Sequence, residues 1–273
     1  MWKDQQLDAL RDIAVDAGRE ILSVYNSDEA IAVTTKSDNS PLTEADQRAH
    51  ELIEKCLKNL TPHVPVLSEE SEEIDYQTRS QWETYWLVDP LDGTKEFVKR
   101  NGEFTVNIAL IDKGVAVAGV VHVPVSGVSY IGKLGDGAWK QDESGIVSIK
   151  TSTMKSGDTR VRIVASRSHR GELLDTMIAT IEAKLGAVEV VSMGSSLKIC
   201  LLAEGKADLY PRLAPTCEWD TAAAHAVLSA AGGDIVNTQF QPLSYNQKSE
   251  LLNPHFLALA DKSYPWQPLL ESV

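Results

Sequence analysis

Apolar residues near the start of the chain recur at spacings of three and four, which is the periodicity of an amphipathic helix. One such segment covers residues 7–25 and a second covers residues 43–60. In the second, Asp46 follows Thr43 at the spacing of a capping box, which favours a helix start at this point. The polar segment between them, residues 34–42, predicts a loop.

The pattern changes to short β-branched runs after the second helix. Residues 64–67 and 85–88 predict short strands, and the longer runs 104–111 and 115–123 predict a hairpin across Asp112-Lys113-Gly114. Gly135-Asp136-Gly137 is typical of a further turn. The N-terminal half is therefore predicted to be two helices followed by a mostly antiparallel sheet.

The C-terminal half instead alternates between strand and helix patterns. Its change of pattern near residues 150–160 predicts a boundary between an α+β subdomain, residues 1–155, and an α/β subdomain, residues 156–273. The predicted strands are residues 161–165, 188–191, 207–210, 235–236 and 256–259, and the predicted helices are residues 171–184, 195–203 and 221–231.

Composition narrows the class of protein. A chain of 273 residues can form one large domain or two packed subdomains. Its net charge of −13 argues against binding to a nucleic-acid polymer, which needs a basic surface. A small anionic ligand stays compatible with this charge, because a bound metal ion reverses the local sign.

Cysteine use and hydropathy predict a location in the cytoplasm. Cys56, Cys200 and Cys217 are an odd number without C-x-x-C spacing, so neither a disulfide framework nor a zinc site is expected. We also expect no signal peptide and no transmembrane segment, because the most apolar run, residues 114–128, is shorter than a spanning helix.

Candidate chemistry comes from acidic residues at the edges of apolar elements. The stretch WLVDPLDGTKEF, residues 86–97, places Asp89 and Asp92 three residues apart around Pro90. Two adjacent carboxylates repel each other unless they share a proton or bind a cation. Oxygen ligands without a nearby Cys or His cluster favour a hard ion such as Mg²⁺. The Leu91 carbonyl is a candidate further ligand.

Further candidates follow the same logic. Gly93 allows close approach of a ligand to the backbone, and its amide and that of Thr94 could bind phosphate if a helix starts there. Glu69, Asp220 and Asp46 also lie at the ends of apolar elements.

A purely structural role is an alternative for each of these acidic residues. Asp89 and Asp92 can cap a turn, and the Glu69-Glu70 pair can lie in a solvated loop. Asp220 can be the N-cap of the helix at 221–231, and Asp46 can be a charge in the first helical turn. The functional hypothesis therefore depends on the joint occurrence of these residues.

Taken together, the motifs resemble those of the inositol monophosphatase superfamily, along essentially the whole chain. They are SEES at 68–71, DPLDGT at 89–94, WDTAA at 219–223 and AGG at 231–233. The segment KEF at 95–97 is similar to the form found in bacterial 3′(2′),5′-bisphosphate nucleotidases of the CysQ type, as are SRSH at 166–169, GSSLK at 194–198 and AEGKAD at 203–208. The resemblance implies a layered α-β-α-β-α sandwich of mixed α/β class.

The resemblance also implies roles for individual residues. It assigns two or three Mg²⁺ ions to five ligands, and it assigns Thr94 and Asp46 to the activation of water. Gly93 and Thr94 would contact the scissile phosphate. The implied ligands are Glu69, Asp89, the Leu91 carbonyl, Asp92 and Asp220.

Four positions match residues that hold the nucleotide in this family: Ser166, His169, Gly194 and Lys198. Lys198 and Arg167 are candidate partners of a second phosphate. The alternatives are a solvated helix position for Lys198 and a surface position for His169.

The implied activity is hydrolysis of the 3′-phosphate of adenosine 3′,5′-bisphosphate to AMP, with its sulfated form, 3′-phosphoadenylyl sulfate, as a second substrate. Sensitivity to lithium is implied as well, and a location either free in the cytoplasm or on the cytoplasmic face of the inner membrane. The alternatives are an inositol monophosphatase or broad sugar phosphatase, and a non-catalytic protein that binds Mg²⁺ or a nucleotide.

Overall fold

Two amphipathic helices pack side by side at one face of the molecule. In the computed structural model, which describes residues 4–27, 33–35, 41–155, 157–165 and 171–270, they are α1 (Asp4–Tyr25) and α2 (Glu44–Leu60). Their apolar faces, including Leu10, Ile21 and Ile53, are buried against the larger sheet. Both helices are where the periodicity predicts them.

The larger sheet has seven strands in chain order. The first two strands are parallel and all other neighbours are antiparallel, which confirms the predicted hairpin and the turn at residues 135–137. The strands are β3 (Val66–Ser68), β4 (Thr84–Asp92), β5 (Thr105–Asp112), β6 (Val115–Val123), β7 (Val128–Lys133), β8 (Gly137–Asp142) and β9 (Gly145–Ile149).

The smaller sheet is mixed, in the order β11-β10-β12-β14-β13, and its strands alternate with helices as predicted. The strands are β10 (Arg160–Ala165), β11 (Ala187–Ser192), β12 (Leu209–Arg212), β13 (Asp234–Asn237) and β14 (Phe256–Leu259). The helices are α5 (Glu172–Leu185), α6 (Leu197–Ala203), α7 (Trp219–Ala231) and α8 (Trp266–Leu270).

Three apolar clusters define five layers. The first joins α1 and α2 to one face of the larger sheet, and the second places α6 and α7 between the two sheets. The third joins the smaller sheet to α5 and α8. This is the α-β-α-β-α arrangement that the resemblance implies. The central cluster draws on both halves of the chain, and the subdomain boundary at residue 155 stays a prediction.

The structure corrects the predicted loop at residues 34–42. In its described part, β1 (Val33–Thr35) pairs antiparallel with β2 (Pro41–Thr43). Strands of three residues carry too little alternation for a sequence pattern to reveal them. The same reason explains why the short helices α3 (Tyr76–Arg79) and α4 (Thr94–Val98) are not predicted. Among the described residues, no helix combines the length and the apolar character that crossing a bilayer requires.

Two glycines of the larger sheet bring α7 into direct contact with the strands. A Cβ added at Gly119 would lie 2.5 Å from the Ala223 carbonyl oxygen, and one added at Gly132 would lie 2.5 Å from Val227 Cα. Only a residue without a side chain fits at either position. The position of α7 over the sheet is therefore set by backbone contact.

A buried glutamate occupies the N-cap position of α7 and directs its carboxyl group to Asn246. Glu218 is the N-cap residue and is 2% exposed, and its Oε2 accepts a hydrogen bond from the Asn246 amide at 2.8 Å. The Asn246 side chain in turn bonds to buried Arg79. Burial raises the pKa of Glu218 to about 7, because it disfavours the ionised form.

Replacing Gly132 by alanine should destabilise the fold. The added methyl group has to displace backbone of α7, and overpacking of this kind costs about 1–3 kcal/mol of the free energy of unfolding. Urea unfolding followed by circular dichroism measures it. Gly171→Ala is the matched control, because Gly171 has φ −128° and no atom of the described residues lies within 4 Å of an added Cβ. Equal stability of the two variants would contradict the contact between α7 and β7.

Glu218→Gln should change how stability depends on pH. The raised pKa of Glu218 means that its contribution is fully present below its ordinary pKa of 4.5 and is lost as pH rises through about 7. Glutamine does not ionise, so the variant should gain about 3 kcal/mol relative to wild type between pH 5 and pH 8. Urea unfolding in EDTA across this range measures the difference. Exposed Glu250→Gln is the control, and parallel profiles for wild type and Glu218→Gln would refute the prediction.

Candidate active site

The two central aspartates lie on an irregular strand end. Asp89 pairs with Asn107 and Asp92 with Thr105, so β4 carries one extra residue between them. Pro90 has no N–H for the ladder, which explains why the register shifts here. Both aspartates thus lie within β4 and its bulge, although Asp89 also makes the local side-chain bond that the turn-cap interpretation supposes. The bulge is stabilised by the Leu91 amide, which donates to Asp89 Oδ1 at 3.0 Å.

The chain turns immediately after this bulge. Gly93 has φ 95°, a left-handed conformation that favours glycine, and it is the N-cap of α4. The helix start that the phosphate-binding hypothesis requires at Thr94 is thus present. The Thr94 hydroxyl lies 3.3 Å from Asp46 Oδ1 and 3.4 Å from the Leu91 carbonyl oxygen, so two acceptors compete for its proton.

Asp46 both caps a helix and faces the site. It is 1% exposed, and its Oδ2 accepts from the Thr43 amide at 2.8 Å and from the Thr43 hydroxyl at 2.6 Å. Its other oxygen, Oδ1, is the one near the Thr94 hydroxyl. The capping box and the pairing with Thr94 therefore coexist in one carboxylate.

Asp220 approaches from the opposite side of the site, in the first turn of α7. The helix begins two residues earlier than predicted, with Glu218 as its N-cap, so the interpretation of Asp220 as the N-cap is wrong. Asp220 Oδ2 accepts from the Cys217 amide at 2.9 Å. The contact of α7 with the larger sheet brings this carboxylate to the end of β4.

These elements bring three carboxylates together. One oxygen from each of Asp89, Asp92 and Asp220 lies within 4.8 Å of the others. Burial raises the pKa of Asp89, and the charges of Glu69 and Asp92 raise it further. Burial and the charge of Asp92 likewise raise the pKa of Asp220. Closely spaced carboxylate oxygens that repel one another fit a divalent cation, which would offset the repulsion.

Glu69 joins the same group from the end of β3. Its negative charge raises the pKa of the nearby Asp89 carboxyl group, and its amide donates to the Val88 carbonyl at 3.0 Å. Glu69 and Glu70 lie in a half-buried turn directly after β3, so the loop predicted here is present and Glu69 lies at its edge beside the aspartates. All five candidate ligands of the sequence analysis lie at the ends of β3 and β4 or at the start of α7.

A cavity of about 360 Å³ opens beside the cluster. Asp92, Gly93 and Asp220 lie at one end of it. One wall comes from the segment after α4 and the other from α6 and β12. The lining residues used below are Glu103 on the first wall and Gly194, Lys198, Tyr210 and Arg212 on the second.

Lys198 is a buried cation on the second wall. It is 8% exposed, and its Nζ donates to the Ser195 carbonyl at 2.6 Å and lies 5.7 Å from the centre of the Tyr210 ring. Burial lowers the pKa of Lys198 to about 8. The interpretation of Lys198 as a solvated helix position is wrong.

Gly194 allows the two walls to meet. A Cβ added there would lie 2.9 Å from Glu103 Cβ, so a larger residue would push the walls apart. The remaining candidates for nucleotide binding, Ser166, Arg167 and His169, lie outside the described residues.

Arg212 is a cavity residue that the sequence analysis missed. The strand predicted to end at Tyr210 continues to Arg212, which carries this side chain to the cavity. Its Nε and Nη2 donate to the carbonyls of Ala214 and Pro215 at 3.1 and 2.9 Å, which fixes the guanidinium within its own loop. A basic residue just after a predicted strand was the available signal.

Comparisons with known proteins agree with this geometry. A 3′(2′),5′-bisphosphate nucleotidase CysQ of Escherichia coli K12 is 48% identical over 251 residues, covering 92% of this chain and 98% of the relative. A CysQ nucleotidase of Buchnera aphidicola is 42% identical over 262 residues, covering 95% of each chain.

Solved structures give the same fold. CysQ from Bacteroides thetaiotaomicron, described as a bacterial member of the inositol monophosphatase family, matches with a TM-score of 0.84 and 45% identity over 96% of this chain and 99% of that one. An inositol monophosphatase from Anabaena matches with a TM-score of 0.74 and 22% identity over 98% and 94% of the two chains. The model of the inositol monophosphatase family matches residues 2–264, and the chain therefore belongs to this family.

Proposed function

We propose that the protein is a metal-dependent phosphatase that hydrolyses the 3′-phosphate of adenosine 3′,5′-bisphosphate to AMP and phosphate. The observation that carries the proposal is the carboxylate group of Asp89, Asp92 and Asp220 at the end of a cavity lined by Lys198 and Arg212. The CysQ relatives, which are named 3′(2′),5′-bisphosphate nucleotidases, support the same substrate. The sulfated nucleotide is proposed as a second substrate.

Mg²⁺ is the proposed cofactor, with two or three ions per site. Glu69, Asp89, the Leu91 carbonyl, Asp92 and Asp220 would hold it, since each offers an oxygen and none a sulfur or nitrogen. When bound, Mg²⁺ lowers the pKa of coordinated water and offsets the negative charge of the phosphate and of the leaving oxygen.

The protein's own contribution to the reaction is to orient water and accept its proton. Thr94 Oγ1 lies between Asp46 Oδ1 and the Leu91 carbonyl, so this hydroxyl can accept a proton from water while its own proton passes to Asp46. Buried Asp46 keeps its orientation through Thr43. Gly93, at the N-cap of α4, leaves the backbone open to the scissile phosphate.

The second phosphate of the nucleotide would lie near Lys198 and Arg212. Both cations line the cavity at the side opposite α4, and both are held by backbone carbonyls. Arg212 is added to the partners named from the sequence, Lys198 and Arg167, of which Arg167 lies outside the described residues. Two fixed cations favour a substrate with two phosphates over an inositol monophosphate, which is the main alternative substrate. A cytoplasmic location stays part of the proposal.

The reaction is tested with a substrate panel. Wild-type protein in Mg²⁺ should release inorganic phosphate from adenosine 3′,5′-bisphosphate far faster than from inositol 1-phosphate, and EDTA should stop the release. Preference for inositol 1-phosphate would overturn the proposed substrate. Binding of the nucleotide without any phosphate release would instead support a regulatory protein.

Asp92→Asn should abolish Mg²⁺-dependent phosphate release with the fold intact. The substitution removes a charge shared by the proposed metal ligands, and loss of a metal ligand lowers turnover by several orders of magnitude. Circular dichroism and thermal unfolding monitor the fold. Turnover like that of wild type would contradict the assignment of the carboxylates.

Arg212→Ala should reduce the preference for the second phosphate. The measurement is kcat/KM for adenosine 3′,5′-bisphosphate relative to 3′-AMP, which lacks the 5′-phosphate. Loss of a charge-assisted hydrogen bond costs about 1.5–3 kcal/mol, so this ratio should fall by about 10- to 100-fold. Lys206→Ala is the control, because Lys206 is exposed and lies outside the cavity lining. An unchanged ratio in Arg212→Ala would contradict the proposal that Arg212 binds the second phosphate.

A further inference from the structure

Ser196 connects the two elements that supply the acidic cluster. It immediately precedes α6 and is 3% exposed. Its amide donates to Asp92 Oδ2 at 2.6 Å. Its hydroxyl oxygen lies 2.9 Å from the same Asp92 oxygen and 2.5 Å from the Asp220 carbonyl oxygen. One small side chain therefore touches both the end of β4 and the first turn of α7.

The hydroxyl has one proton and three polar neighbours. Asn107 Nδ2 donates to the Ser196 hydroxyl oxygen at 2.9 Å, which leaves the hydroxyl proton for an acceptor. Asp92 Oδ2 already accepts the Ser196 amide, and the Asp220 carbonyl is the closer of the two acceptors. A chain of hydrogen bonds thus runs from Asn107 on β5 through Ser196 to the backbone of α7.

The same contacts orient the Asp92 carboxylate. Its Oδ2 also lies 3.4 Å from Asn107 Nδ2 and 3.5 Å from the Thr105 hydroxyl. Within the described part of the chain, the hydrogen bonds of this carboxylate end on Oδ2, which leaves Oδ1 for a cation. Groups that hold a metal-binding carboxylate through its second oxygen influence metal affinity without touching the ion.

We propose that Ser196 is a positioning residue that sets the affinity of the acidic cluster for its divalent cation. It does so by fixing the orientation of Asp92 and the distance between Asp92 and Asp220. The inference rests on the proposed function, since it concerns the same metal site. Ser196 belongs to the motif at residues 194–198, for which the family resemblance implies only nucleotide binding. The inference adds a role in the metal site.

The test is calorimetric titration of Mg²⁺ into metal-stripped protein without substrate. Ser196→Ala keeps the amide bond to Asp92 and removes the hydroxyl, and loss of such a supporting group weakens metal affinity by about 10- to 100-fold. We expect the Kd for Mg²⁺ to rise at least about 10-fold. The stabilisation of the melting temperature by Mg²⁺ should shrink in parallel.

Ser129→Ala is the matched control. Ser129 is a buried serine on β7, 2% exposed, whose hydroxyl contacts His122 Nδ1 at 2.9 Å and lies outside the cluster. It should lose stability in EDTA without a change in Mg²⁺ affinity. An equal loss of affinity in both variants would show a general effect of buried serine removal and would overturn the inference.

A second variant keeps the inference testable if Ser196→Ala does not fold. Asn107→Ala removes the donor that holds the Ser196 hydroxyl and should weaken Mg²⁺ binding in the same direction. Wild-type Mg²⁺ affinity in either folded variant would overturn the role of Ser196 while leaving the proposed function in place. Wild-type protein that binds no Mg²⁺ and releases no phosphate would instead overturn both.

Discussion

Repulsion between closely spaced carboxylates, one buried and two half-buried, is the constraint on which the rest of the structure depends. β4 and α7 deliver Asp89, Asp92 and Asp220 to one point, with oxygens within 4.8 Å of one another. Such a group is unfavourable unless protons or a cation offset its charge, and the raised pKa values of Asp89 and Asp220 express this cost. The surrounding fold supplies the packing that holds these side chains together despite it.

That packing includes contact between the backbone of α7 and the backbone of the larger sheet. Gly119 and Gly132 allow α7 to lie with its backbone against the larger sheet, and Ser196 joins the first turn of α7 to Asp92. Asp46 and Thr94 are held by a separate set of contacts around α2 and α4. Thr94 also lies 3.4 Å from the Leu91 carbonyl oxygen, a proposed metal ligand, so this contact links the groups that would handle the proton to the metal site.

Sequence patterns predict the features of this molecule that depend on residues close together in the chain. The periodicity of α1 and α2, the hairpin and the acidic residues at element ends all follow from spacings within a short window. The bulge at Asp89–Asp92 does not, because it depends on pairing with β5. Arg212 and Glu103 were missed as cavity residues for a similar reason, since the cavity forms where distant segments meet. Ser196 lies in a motif that was noticed, but its contacts with Asp92 and Asp220 appear only in three dimensions.

The two cavity walls come from different elements, which affects how substrate selectivity can change within this fold. At the end of the cavity with the carboxylates, Asp92 and Gly93 come from the end of β4 and Asp220 from α7, whereas Lys198 and Arg212 come from α6 and β12. Substitutions on α6 and β12 can therefore exchange one leaving group for another while the carboxylates stay in register. A fold built in this way can give rise to enzymes of different selectivity by changing a few positions in these two elements, without rebuilding the hydrolytic centre.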